Sequence, residues 1–339
     1  MPTDAEPATP PVTEPVALPI AGPPRPKQRA WQWAVHALLA VGGAAALALL
    51  VRHAGVDRLR EAVLAAAPVM PVVILLEGLR IGTESWGTRL LYGEAARRVP
   101  LGVLLHAHLA SYAPNLVLPA GRLAAEALRA TWLAPWVGGA TAAAAASAKQ
   151  SISLMGTFLL SLPIIPVAFL QWGRSGMAIA IAVQACTAIG LAMTLQLASR
   201  RPELARWAGR FSPRAAAALS AFHTAVHAHP LFPPAPIAVA TLGRCLQLSQ
   251  LALLAWGAGA GLGLRPALLV TGVYLVGTAA GDLVPAQVGV TDGAFVLAAD
   301  ALRIPLAAAL SIPLLVHAGQ IGWAAVGLVA LVVRPRHRP

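Results

Sequence analysis

The chain has 339 residues, of which 58% are hydrophobic and only 11% are charged, and its mean hydropathy is +0.70. Apolar runs of about 20 residues, enough to cross a hydrocarbon core roughly 30 Å thick, exclude a soluble protein and indicate an integral membrane protein. The 25 basic residues outnumber the 13 acidic ones. Most of them lie between apolar runs, which favours a role in membrane topology and argues against nucleic acid as a partner.

Residues 1–30 are predicted to form a disordered cytoplasmic tail. Proline recurs throughout this stretch at a density that no packed helix or strand tolerates. The apolar segment that follows is long enough to span a membrane, so the tail is not interpreted as a signal peptide. One transmembrane domain is predicted over residues 31–333, followed by a short basic cytoplasmic tail at 334–339.

Eight apolar segments follow the tail. They lie at about 31–51, 69–91, 101–118, 142–171, 176–198, 236–260, 267–284 and 305–333. Basic clusters precede the first segment, follow the fifth from Arg200 to Arg214, and end the chain. The positive-inside rule places all three clusters in the cytoplasm, so both termini should be cytoplasmic in a multi-pass protein of the inner or plasma membrane.

This topology requires that one of the first five segments does not cross the membrane. The best candidate is 101–118, because it runs into Pro119 and Gly121 and resumes as an amphipathic stretch from Arg122 to Trp132. We therefore predict a re-entrant hairpin over 101–132. The same count in the second half predicts a hairpin over 267–301, entering from the opposite face, around a wet pocket. The predicted fold is an all-α membrane bundle with six full crossings and an inverted-repeat-like arrangement.

Charged residues inside apolar segments must be paired, lie near an interface, or have a function. Glu77, Arg80 and Glu84 share one helix face, and we interpret them as a structural ion pair, with contact to a cargo as the alternative. Arg122, Glu126 and Arg129 share another face directly after the first break. Arginine suits a phosphate, so they predict an anionic lipid headgroup; an ordinary interfacial helix is the alternative.

Further polar residues mark the fourth, sixth and seventh segments. Lys149 and Gln150 form a polar patch in the fourth segment, and Arg244, Gln247 and Gln250 recur every three residues in the sixth. The latter could line the same pocket or form hydrogen bonds between helices. The second break carries a further set of candidates: Asp282, Pro285, Gly289 and Asp292.

No cofactor is expected, and no metal site is predicted. His106 and His108 are two residues apart and so point in different directions on a helix, without an evident third ligand. No nucleophile motif was found, so the chain is not expected to be an enzyme.

Two motifs resemble those of the lysylphosphatidylglycerol synthase transmembrane family, also called flippase-like proteins. Asn115-x-x-x-Pro119-Ala120-Gly121-Arg122, followed by Glu126 and Arg129, is similar to that family's Asn, Leu-Pro, Gly-Glu and Arg signature. Pro285-x-x-x-Gly289-x-x-Asp292 is similar to its second motif of Pro, Gly and an acid. This chain departs from the pattern in three ways: the acid follows Gly121 by five residues, Lys149-Gln150 replaces an acid-Arg pair, and the second acid is Asp.

The resemblance implies a stand-alone member, without the synthase domain, that moves lipid between leaflets. The lipid-binding residues would be those of the two motifs, Asp282 and the Lys149-Gln150 patch, with an anionic phospholipid or another polar-headed lipid as the partner. A lipid-synthesis enzyme or glycosyltransferase is a further candidate partner. Two alternatives stay open: a membrane-embedded transferase acting on a lipid or lipid-linked sugar, with Glu126, Asp282 or Asp292 as general base, and a non-transporting subunit of a lipid-modifying enzyme.

Overall fold

The structure is a computed structural model that describes residues 26–118, 121–203 and 213–333. Within these ranges the regular elements are all helical and no strand occurs, which confirms the all-α prediction. Residues 1–25, residues 334–339 and Pro119 lie outside the described residues, so the predicted tails are described only in part.

Most of the described chain is helical. The helices are α1 Pro26–Ala54, α2 Val56–Ala66, α3 Met70–Leu91, α4 Leu101–Val117, α5 Gly121–Val137, α6 Gly139–Trp172, α7 Gly176–Ser199, α8 Pro213–His227, α9 Pro234–Gly257, α10 Leu264–Ala280, α11 Val290–Leu302 and α12 Leu306–Val332. Short 3₁₀ turns lie at Ala67–Val69, Gly93–Arg98 and Pro285–Gln287. Helix α1 begins at Pro26, inside the segment 1–30 that was predicted as a tail, and the division into tail and transmembrane domain stays a prediction. Proline suits the first helical turn, where its fixed φ is helical and its missing N–H has no bond to lose.

Six stretches of the described residues are long and apolar enough to cross a membrane. They are Ala37–Ala54, Val56–Leu91, Gly139–Trp172, Gly176–Ser199, Pro234–Gly257 and Leu306–Val332. These stretches overlap the six full crossings that the hydropathy pattern predicted. Large apolar side chains on them, including Leu170 and Val332, are exposed on the protein surface, as expected of helices that face lipid. The chain is a multi-pass membrane protein.

Both predicted helix breaks are present, and each lies within a pair of packed helices. α4 and α5 pack together around the first break, and α10 and α11 pack together around the second. At 1.5 Å per residue, the 17 residues of α4 span about 25 Å, less than the roughly 30 Å hydrocarbon core. This length suits a helix that crosses only part of the bilayer. That the two hairpins enter from opposite faces stays a prediction.

The packing repeats between two halves of the chain. Helix α3 packs against α9, α4 packs against α12, and α10 packs against α6. Counted from α3 and from α9, the first helix of each set packs against the first helix of the other, and the second against the fourth. Reciprocal packing of this kind is typical of an inverted repeat. That the two halves have opposite orientations in the membrane stays a prediction.

The first break depends on a glycine. A Cβ atom at Gly121 would overlap the backbone carbonyl of Asn115 and lie 2.8 Å from the carbonyl oxygen of Pro114. The start of α5 therefore packs directly on the backbone at the end of α4, and any side chain there would separate the two helices.

Replacing Gly121 with Ala is expected to lower the free energy of unfolding by about 1–3 kcal/mol, because the added methyl group forces a backbone shift. Gly102→Ala, in the same hairpin, is the matched control, since a Cβ there meets no atom within 4 Å. Thermal unfolding in detergent measures both variants. Equal unfolding midpoints would contradict the close backbone contact.

Candidate functional site

A polar cavity of about 480 Å³ lies where the two breaks meet α3, α6 and α9. Five basic side chains line it, namely Arg80, Arg122, Arg129, Lys149 and Arg244. Three acidic side chains also line it, namely Glu84, Glu126 and Asp282. The two breaks, which are more than 160 residues apart in the sequence, therefore contribute to one charged cavity inside an apolar bundle.

Eight of the predicted lipid-binding residues line this cavity. They are Asn115, Gly121, Arg122, Glu126, Arg129, Lys149, Gln150 and Asp282. Pro285, Gly289 and Asp292 do not line it, and Pro119 lies outside the described residues. The structure thus brings the first motif and the Lys149-Gln150 patch together with Asp282, and with none of the named residues of the second motif. That these residues bind a lipid stays a prediction.

The second break has an unusual backbone. Ala286 and Gln287 both adopt left-handed φ angles, 52° and 59°, which side-chain-bearing residues rarely do. Both residues line the cavity, and the Gln287 side chain donates a hydrogen bond of 3.4 Å to Asp282. Strained backbone of this kind persists only where the surrounding structure holds it, and it clusters at functional sites.

One ion pair joins the two breaks. Arg122 Nε, one residue after Gly121, lies 3.6 Å from Asp282 Oδ1. The side chains are 37% and 51% exposed, so solvent weakens their attraction. A competing anion can therefore displace Asp282 from Arg122 with little loss of free energy.

A second group of charges is more buried and more densely paired. Arg129 lies 3.1 Å from Glu126 and 3.9 Å from Glu84, and Lys149 lies 3.3 Å and 3.5 Å from the same two carboxylates. Helices α3, α5 and α6 each contribute to this group. Arg129 was predicted to hold an anion, yet its charge is already balanced by two carboxylates. The i, i+3 spacing from Glu126 to Arg129 brings the pair together.

Lys149 is further held by a buried histidine. Its Nζ lies 3.3 Å from His108 Nε2, which also lies 3.0 Å from the hydroxyl of Thr88. His108 Nδ1 lies 3.0 Å from the carbonyl oxygen of Leu104. If that nitrogen carries the proton, Nε2 is free to accept from the lysine. The histidine therefore positions a cavity lysine.

Glu77 lies behind the cavity and has all of its charge satisfied by protein groups. Arg80 donates to both of its oxygens, at 2.9 Å from Nε to Oε2 and 2.5 Å from Nη2 to Oε1. Tyr112 and Gln250 add hydrogen bonds of 2.5 and 3.1 Å. Arg80 also donates to Glu84. The arrangement matches the geometry of the proposed structural ion pair, while Arg80 and Glu84 line the cavity as well.

Arg244 differs from the other basic residues of the cavity. Its guanidinium donates to Gln247 at 2.9 Å and to Ser153 at 3.2 Å, both neutral. Within the described residues it lies in no ion pair with a carboxylate. The polar residues that recur every three positions in the sixth segment made Arg244 a candidate for the pocket. The sequence could not show that Arg244 has no carboxylate partner among the described residues. Tyr112, Tyr274 and Gln320 also line the cavity and were not predicted.

The named residues of the second motif lie outside the cavity. Gly289 has a φ of 81°, and its backbone packs directly on that of Gly43 in α1. Asp292 is fully buried, and its Oδ2 accepts the backbone N–H of Gly289 at 2.7 Å. Its observed contact is therefore to the start of α11 rather than to the cavity, and the placement does not support the prediction that Asp292 touches a cargo.

Replacing Arg80 with Gln is expected to lower the free energy of unfolding by about 3–5 kcal/mol, because Glu77 is left buried without its counter-charge. Adding Glu77→Gln should restore part of the loss, since the unpaired charge is then removed. Arg89→Gln on the same helix, where the guanidinium donates to a backbone carbonyl at 3.4 Å, is the control. Thermal unfolding in detergent measures all variants, and equal losses for Arg80→Gln and Arg89→Gln would contradict the assignment.

The protein family described as the lysylphosphatidylglycerol synthase TM region matches residues 33–328. No curated protein and no solved structure gave a significant match. The match includes α2–α11 and most of α1 and α12, with both breaks and all the residues that line the cavity. It relates the chain to lipid handling in the membrane. With the motifs, the six crossings and this match in agreement, the chain belongs to the lysylphosphatidylglycerol synthase transmembrane family.

Proposed function

We propose that the protein binds the polar headgroup of a phospholipid in the cavity and moves the lipid between the two leaflets. The family match supports a role in lipid handling. The helix lengths support a cavity within the bilayer, because its walls come from the membrane-crossing helices and the two hairpins.

The size of the cavity suits a headgroup. Small-molecule sites in proteins have volumes of roughly 300–1,000 Å³, and this one measures about 480 Å³. The headgroup would occupy this polar space while the acyl chains stay in the surrounding lipid. In this arrangement the charged part of the lipid avoids the hydrocarbon core during its passage.

The observation that carries the proposal is the uncompensated guanidinium of Arg244. The other basic residues of the cavity have carboxylate partners within 4 Å, whereas the described partners of Arg244 are an amide and a hydroxyl. A planar guanidinium offers paired N–H donors that match phosphate oxygens. Arg244 is therefore the primary phosphate contact, and Arg122 becomes a second one when its exposed pair with Asp282 opens.

Movement of the lipid requires that the cavity open to each leaflet in turn. The two halves of the chain repeat the same packing, which suits rocking of one half against the other around a fixed site. The Arg122–Asp282 pair lies between the two breaks and would break and reform during each cycle. A lipid phosphate that competes for Arg122 would favour the open form.

Arg244→Gln should reduce the rate of lipid transfer roughly 10- to 100-fold, which corresponds to the loss of a charge-assisted hydrogen bond of about 1.5–3 kcal/mol. The assay uses proteoliposomes with a trace of acyl-chain-labelled phosphatidylglycerol, and follows its accessibility to a membrane-impermeant quencher. Arg265→Gln removes the same charge from an exposed position outside the cavity and should transfer at the wild-type rate.

Two results would contradict the proposal. Transfer by the wild type no faster than in protein-free vesicles would count against translocation, and equal rates for the two variants would count against Arg244 as the phosphate contact. Mass spectrometry of the recovered lipid tests the transferase alternative, because a translocase leaves its cargo chemically unchanged.

A further inference from the structure

A second group of buried polar side chains lies behind the second break, outside the cavity. Thr291 and Asp292 in the first turn of α11 are 0% exposed, and His317 of α12 is 8% exposed. His317 Nε2 lies 3.4 Å from Asp292 Oδ2. None of the three residues lines the cavity, and the proposed lipid contacts make no use of them.

The hydrogen bonds of this group are incomplete. Asp292 Oδ2 accepts the N–H of Gly289, but Asp292 Oδ1, the Thr291 hydroxyl and both ring nitrogens of His317 have no hydrogen-bond partner. Buried polar atoms in native proteins are nearly always satisfied, and unsatisfied ones call for an explanation such as a missing ligand. Three of these atoms belong to one pair of side chains on two helices, Asp292 and His317, whose nearest atoms are 3.4 Å apart.

The chemistry of the group selects its ligand. One carboxylate, one imidazole and one hydroxyl are too few for a metal, and no cluster of three or more His, Cys, Asp or Glu suited to a metal occurs in the described ranges. An alkali or alkaline-earth cation prefers several oxygen ligands. A proton needs only an acceptor pair, and carboxylates with histidines carry protons inside membrane transporters.

His317 is the one titratable group that the described structure places against Asp292. Helix α1 packs there through Gly43, and α10 through Gly277. On α11 itself, Asp300 is exposed at the far end of the helix. On α12, Gln320 is the next polar residue after His317, and it donates to Tyr274 of α10 on the cavity side. The charge state of the pair is therefore set by Asp292 and His317 together.

We propose that Asp292 and His317 form a proton-binding site that sets the conformation of the second break. The proton adds between the carboxylate and the imidazole, and it comes from and returns to water without any other bond changing. A carboxylate that shares a proton with an imidazole carries less negative charge, and is therefore a weaker acceptor for the Gly289 N–H. Proton binding thus loosens the start of α11, immediately after the strained residues Ala286 and Gln287 that line the cavity.

The coupling of this site to lipid movement rests on the proposed function. The break that Asp292 holds through Gly289 also carries Asp282, the partner of Arg122. A proton at Asp292 and His317 therefore biases the contact between the two hairpins. A proton gradient across the membrane would then supply the energy for lipid transfer.

Proton binding itself is tested without transport. Infrared difference spectra of the purified protein between acidic and alkaline buffer should contain carboxyl or imidazole bands that disappear in both Asp292→Asn and His317→Gln. Asparagine keeps a side-chain oxygen for the Gly289 N–H, so the helix start is preserved. Asp300→Asn removes an exposed acid from the same helix and should leave those bands in place. Spectra of the two site variants identical to the wild type would overturn the site.

Coupling is tested in proteoliposomes with a pH gradient of either direction. The ratio of phosphatidylglycerol transfer rates in the two directions should differ several-fold from one in the wild type and in Asp300→Asn. In Asp292→Asn and His317→Gln the ratio should fall to one. The coupling would be overturned if the wild-type transfer rates did not depend on the pH gradient, or if they depended on a sodium gradient instead. Absence of any transfer would overturn the proposed function together with the coupling, and the infrared spectra would then decide the proton site alone.

Discussion

The constraint on which the structure depends is that backbone polar groups inside a membrane cannot remain without hydrogen bonds. Helices α4 and α10 both end within the bundle, and each break leaves amide and carbonyl groups outside the regular helical pattern. Such a break is tolerated only against protein or beside a polar cavity. The two breaks satisfy this condition for each other, because the charged cavity lies between them. The cavity is thus the consequence of interrupting two helices inside an apolar bundle.

Close backbone packing makes this arrangement possible. Gly121 lets α5 lie on the end of α4, and Gly289 lets the second break lie on Gly43 of α1. Small residues allow such close packing in membrane proteins. Lipid provides no hydrophobic force that drives helices together, so their association depends on van der Waals contact between them. Residues of both breaks line the cavity, and Arg122 of one lies 3.6 Å from Asp282 of the other.

Charge balance then determines which side chains are available to a ligand. Glu77 is satisfied by Arg80, Tyr112 and Gln250, and Arg129 is balanced by Glu126 and Glu84. Buried charges of this kind keep their partners, because an unpaired charge in a low-dielectric interior is strongly unfavourable. Arg244 is the exception among the described basic residues of the cavity. Asp292 and His317 are also buried, but their hydrogen bonds are incomplete, so they too remain available to a ligand.

The sequence by itself determined the features that depend on neighbouring residues. Hydropathy located six crossings, Pro and Gly located the two breaks, and helical spacing placed Arg80 between Glu77 and Glu84. Only the tertiary structure decided which charges remain free. Glu126 pairs with Arg129 on the same helix, and the fold adds Glu84 of another helix, which reaches both Arg129 and Lys149. Asp292 lies beside His317, a residue of the next helix, and away from the cavity. The physical reason is that apolar periodicity acts within one helix, whereas a charge is neutralised by whichever residue the folded chain brings within a few ångströms.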